Sequence, residues 1–98
     1  MAVYLIGAMD IHDQDEFANY VKAAGGALAP YQGKFTRLTA DKNPRVYEGE
    51  RPGNHMFIIK FDTQELFDEF YNSEAYRQAM KIRLRSSNPH FIMTMAES

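Results

Sequence analysis

Ninety-eight residues suffice for one hydrophobic core and little more, and 45% hydrophobic with 24% charged residues is the balance of a folded chain, not a disordered one. Eleven Lys and Arg against thirteen Asp and Glu leave a formal charge of −2, which gives no pull toward a polyanion such as nucleic acid. The absence of cysteine excludes disulfides, thiolate metal sites and a Cys nucleophile. Residues 3–9 are short, apolar and rich in strand formers, with Val3, Leu5 and Met9 on one face and Tyr4, Ile6 and Ala8 on the other. The apolar run 1–9 falls well short of the roughly 20 residues a membrane span needs, and no basic region precedes it. A cytoplasmic protein with a single domain over 1–98 is the expectation.

The polar run DIHDQDEF (10–17) opens a helix, with Asp13 capping its free amides and Glu16 closing a capping box. Phe17, Tyr20, Val21, Ala24 and Leu28 follow at helical spacing as one buried stripe. Gly25 and Gly26 each cost about 1 kcal/mol relative to Ala, so a bend or fraying is expected there before Pro30 ends the helix. GKFTRLT (33–39) alternates as a second strand, and TADKNP (39–44) has turn chemistry. RVYEGE (45–50) reads as a short extended piece, either a hairpin partner or a bulged continuation of the second strand. HMFIIKF (55–61) is a strand, Thr63 caps a helix over 64–71, Ser73 caps another over 74–85, and Pro89 precedes a last strand over 90–95.

This order predicts an α+β, ferredoxin-like split β-α-β fold, with an antiparallel sheet and its helices on one face. A sheet with one wet face alternates apolar and polar residues, yet residues 55–61 and 90–95 are apolar on both faces. So few helices cover one face only. The other needs a cover, and a second copy of the chain predicts a homodimer through the sheet. The alternative is that the 39–54 segment folds over that face.

The stretch YQGKFTRL (31–38), then Glu48 and Gly49, then FIIKFDTQELFDEFYNSEAYRQAMKIR (57–83) resembles the domain-of-unknown-function family DUF1330, of the dimeric α+β barrel superfamily. The resemblance covers nearly the whole chain and is carried best by the hydrophobic strand, FYNS (70–73), EAY (74–76) and Arg83. It implies a ferredoxin-like protomer that pairs through its sheet into a dimeric α+β barrel, and no established reaction. Related barrels include cofactor-free monooxygenases and isomerases that use the cleft between sheet and helices. Two stretches depart from the family pattern. Arg37 sits one place early and is followed by Leu38, Thr39 and Ala40 instead of a glycine pair, and a one-residue shift turns a strand side chain to the other face. After Glu48 and Gly49, ERPGNH (50–55) replaces the usual Trp and basic residue.

Tyr76, Met80 and Arg83 lie at spacings of four and three, so the guanidinium shares the stripe that faces the core. It reads as an anchor for an anion or carboxylate at the mouth of a cleft, or as an Arg snorkelling at the helix C-terminus beside Arg77, Lys81 and Arg85. Glu48 reads as a partner of Arg37 or Arg83, as a base if desolvated, or as a solvent-facing residue at a strand end. Tyr71 and Tyr76 are core aromatics whose hydroxyls can orient a ligand's carbonyl at the rim. His55 and His90 each open a strand, where one can shuttle protons, and His12 completes the set of imidazoles. No His-x-His or His-x-x-x-His spacing points to a metal, and no Gly-x-Ser-x-Gly elbow, phosphate-binding loop or RNA-binding aromatic strand is present.

The reading is a cofactor-free pocket for a small polar or aromatic metabolite, monooxygenase- or isomerase-like. Glu48, Tyr71 and His55 carry the catalytic roles, and Arg83, Arg37 and Tyr76 hold a small anionic ligand. No cofactor, nucleic acid or membrane partner is expected. The alternative is a non-catalytic ligand-binding or dimeric scaffold module.

Overall fold

Each helix begins where a short polar side chain takes over a free backbone amide. Asp13 accepts from the Glu16 amide at 3.0 Å, Thr63 from the Leu66 amide at 3.0 Å, and Ser73 from the Tyr76 amide at 3.2 Å. The structure, a computed structural model, describes residues 1–98. Its elements are β1 (Val3–Ile11), α1 (Gln14–Leu28) with a 3-10 turn (Ala29–Tyr31), β2 (Phe35–Asp41), β3 (His55–Phe61), α2 (Gln64–Tyr71), α3 (Glu74–Ser86) and β4 (Ser87–Ala96). The strands form one antiparallel sheet in the order β2-β3-β1-β4, the α+β ferredoxin-like arrangement. No helix is long and apolar enough to cross a membrane.

Val3, Leu5, Met9 and Ile11 of β1 and Phe61 of β3 share one core cluster with helix residues that include Phe17, Tyr20, Phe67, Phe70, Tyr76 and Ala79. These strand residues lie on one face, so the helices cover that face. Phe61 is its centre, fully buried and packed against Phe67 at 5.3 Å and Phe70 at 5.6 Å. The opposite face carries Ile6, Met56, Ile58, Phe91, Met93 and Met95, and Met93 and Met95 remain 45% and 56% exposed. The segment between β2 and β3 leaves that face open, with Tyr47 itself 83% exposed.

Several stretches differ from the sequence expectation. Asp10 and Ile11 extend β1 instead of opening the helix, and Thr39, Ala40 and Asp41 continue β2 instead of turning. Residues 45–50 form no strand: Pro44 and Pro52 lack amides for a ladder, and Gly49 turns the chain at φ +91°. Helix α1 runs through Gly25 and Gly26 to Leu28 without a break, because its flanking residues are anchored in the core. Strand β4 begins at Ser87 and takes in Pro89, which an edge strand tolerates; Pro89 pairs with Met9 where the β1–β4 register shifts.

Candidate functional site

Between α1 and the strands β2 and β3 lies a cleft of about 400 Å³. Helix α1 supplies Phe17, Tyr20, Val21, Ala24 and Leu28, and β3 supplies Phe57 and Ile59, so the wall is mainly apolar. Val21 and Leu38 stay 55% and 48% exposed at its mouth. The space depends on Gly7: Phe57 lies across it, and an added Cβ would collide with the ring.

Arg37 reaches the cleft by the plain alternation of β2, two residues after Phe35 and on the same face, where it pairs with Ile59. The register then shifts at Leu38 before Thr39 pairs with Ile58. This bulge leaves Leu38 free to line the mouth and sets Ala40 opposite Phe57. The guanidinium carbon lies 5.4 Å from the Phe35 ring centroid, and no carboxylate pairs with it.

His55 stands in the same wall, at the first residue of β3. Asn54 fixes it there: its amide donates to the Met9 carbonyl, its Oδ1 accepts from the Ile11 amide at 2.8 Å, and its Nδ2 donates to the Ile11 carbonyl. Gly53 makes this approach feasible, with φ +93° and no room for a Cβ against the Met9 carbonyl. The imidazole packs edge-on to Phe17 at 5.5 Å, and its Nδ1 is buried without a hydrogen-bond partner. Burial, assisted by the Lys42 charge, pushes its pKa below the ordinary histidine value, which keeps the ring neutral near pH 7.

Behind the cleft, α1 and α3 meet through tyrosines. The Tyr20 and Tyr76 hydroxyls lie 2.9 Å apart, and burial, then Tyr76 itself, raises the Tyr20 pKa. Arg83 is 3% exposed in the same seam, close enough for its charge to oppose that rise. Tyr71 is half-buried, stacked on Phe67 at 5.5 Å and 5.4 Å from Tyr76. Of the residues singled out from sequence, the structure therefore brings Arg37 and His55 together in the cleft wall, and gathers Arg83, Tyr76 and Tyr71 behind it. Glu48 is exposed on the 42–54 segment and does not line the cleft. His90 pairs with Asp10 at 2.7 Å, at the end of the open sheet face. Tyr20 links the two groups, lining the cleft with its ring and bonding Tyr76 with its hydroxyl. Sequence reasoning placed it in the core stripe; the signal it carried was a hydroxyl on an otherwise apolar face.

Solved structures share this architecture. A protein of unknown function from Rhodopseudomonas palustris matches with a TM-score of 0.77 at 13% identity, covering 99% of this chain and 82% of that one. A dimeric ferredoxin-like protein of unknown function from Jannaschia sp. CCS1 gives 0.73 at 13% identity, covering 99% and 100%. SnoaB, a cofactor-independent oxygenase from Streptomyces nogalater, gives 0.68 at 9% identity, covering 99% and 93%. At such identities the likeness is one of fold. No curated protein matches the sequence. The model of one family, described as a domain of unknown function (DUF1330), matches residues 2–96, and the chain belongs to that family.

Proposed function

We propose that the cleft between α1 and β2–β3 binds a small aromatic or otherwise largely apolar molecule that carries a polar group, and that it acts on it without a cofactor. One observation carries this reading: the Nδ1 of His55 is buried without a partner in the wall of a mainly apolar cleft. A buried nitrogen of this kind costs roughly 1–3 kcal/mol unless something bonds to it, and a ligand hydroxyl in the cleft is suited to do so. A ring kept neutral near pH 7 is also able to accept a proton. Arg37, exposed and unpaired, receives a ligand's negative charge at the mouth. The proton falls to His55 rather than Glu48, since no carboxylate lines the cleft. The shared fold with a cofactor-independent oxygenase supports a monooxygenase- or isomerase-type reaction, by analogy of fold.

Thermal shifts with a panel of phenols and hydroxylated aromatic acids test the reading. The wild type should be stabilised by some members, while His55→Phe, which keeps a ring and removes both nitrogens, should fold and lose the response. Uniform silence of the wild type, or an unchanged response in His55→Phe, rejects it. Oxygen uptake and product analysis with the binding members then separate an oxygenase from an isomerase. Binding without turnover supports the second reading, a non-catalytic ligand-binding module, which the absence of a carboxylate from the cleft favours.

We also infer that two copies pair through the open sheet faces. The apolar residues on that face lack a cover within one chain, and the structural relatives from Jannaschia sp. CCS1 and Bacteroides fragilis are described as dimeric.

A further inference from the structure

Arg83 is a buried cation for which the protein supplies no acceptor. It is 3% exposed, and neither its Nε nor its Nη1 reaches a hydrogen-bond partner. Its surroundings add phenols and no negative charge. Tyr76 lies seven residues earlier on the same buried face of α3, and the long Arg83 side chain leans toward the helix N-terminus, as helical side chains do. Tyr76 shares one hydrogen bond with Tyr20, so whichever hydroxyl accepts still has its own proton to give. The seam thus holds two guanidinium nitrogens and a phenol with hydrogens to donate, and no carboxylate: the carboxylates that meet basic side chains are Glu97, Glu16 and Asp10, beside Lys60, Arg85 and His90. An isolated charge in such a place is strongly unfavourable unless an opposite charge joins it.

We propose that Arg83, Tyr20 and Tyr76 form a buried receptor for a carboxylate, taken up between α1 and α3 at the inner side of the cleft. The carboxylate accepts from one edge of the guanidinium and from the free phenolic proton, which gives a buried orphaned donor its partner. Its source is either a free small acid or the acid group of the molecule that fills the cleft, reached past Tyr20, whose ring lines the cleft. The receptor does not rest on the role given to His55.

The test titrates sodium formate, acetate and benzoate into the protein at fixed ionic strength, following Tm and the near-ultraviolet tyrosine absorption. At about ten times the Kd, Tm should rise on the order of 6 °C, with a saturable tyrosine signal. Arg83→Met, which keeps length and removes charge, should melt no lower than the wild type without carboxylate and lose the response. Tyr76→Phe and Tyr20→Phe keep the rings, and each should weaken the apparent affinity about tenfold. They decide the matter if Arg83→Met does not fold. Equal action of formate and benzoate identifies a free small acid, whereas benzoate alone identifies the acid group of a cleft ligand. A formate response that survives in His55→Phe separates this receptor from the cleft reading. The proposal is overturned by a wild type that none of the three acids shifts, by a full response in Arg83→Met, or by an undiminished response in both tyrosine variants.

Discussion

His55 ties the stability of the fold to pH. Its pKa is depressed by burial, and by Lys42 beyond that, so the folded chain holds a neutral ring where an unfolded chain takes up a proton. Stability from this site is therefore complete above the ordinary histidine value of 6.5 and is lost as pH falls from there toward the folded value. Urea denaturation at pH 7.5 and 5.5 should show a larger loss of stability on acidification for the wild type than for His55→Phe. Gly7 acts at the same scale by its lack of a side chain. A Cβ there meets the Phe57 ring, so Gly7→Ala should cost about 1–3 kcal/mol and displace a wall of the cleft, which a ligand-induced thermal shift would register as a weakened response. The place of Arg83 on the buried stripe was legible from its spacing after Tyr76 and Met80. The meeting of Tyr20 with Tyr76 was not, because the two tyrosines are 56 residues apart and only the packing of α1 on α3 joins them.

Among the elements, those governed by local rules follow the sequence closely. The three caps start their helices where Asp13, Thr63 and Ser73 predict, since a cap needs only its own next three residues. Thr63→Ala should cost about 1 kcal/mol in urea denaturation, with little effect on cleft binding, which α2 does not line. Local rules fail in β2 and the segment after it. The alternation of 33–39 puts Arg37 on the face of Phe35, but it gives no sign of the bulge at Leu38, which sets Thr39 opposite Ile58 and Ala40 opposite Phe57. The clip made by Asn54 is equally invisible, because its partners belong to β1, 43 residues away. Asn54→Ala leaves the Ile11 amide and carbonyl without their side-chain partner. It should lower stability by about 1–3 kcal/mol and, by freeing His55, weaken ligand binding at the cleft.

At the scale of the whole molecule, the open face of the sheet has the make-up of an interface. Its middle is apolar, and its polar groups gather at the ends, with Tyr4, Lys60 and Glu97 at one and Asp10 and His90 at the other. Pairing of two such faces should give a dimer in sedimentation at micromolar concentration, and Met93→Lys combined with Ile58→Lys should shift it to monomer while the helical circular dichroism is retained. A wild type that sediments as a monomer at those concentrations would remove the pairing.

By itself the sequence determined the helices, the four strands to within a few residues, the stripe that forms the core apart from the exposed Val21, and the apolar character of both sheet faces. These depend on periodicity and on contacts between near neighbours, which the order of residues expresses directly. Only the tertiary structure decided which polar groups share a site: Arg37 and His55 in the lining of the cleft, Tyr20 with Tyr76 behind it, and Glu48 apart from both. Those placements depend on strand register and on how two helices cross, and a shift of one position in a strand turns a side chain to the opposite face.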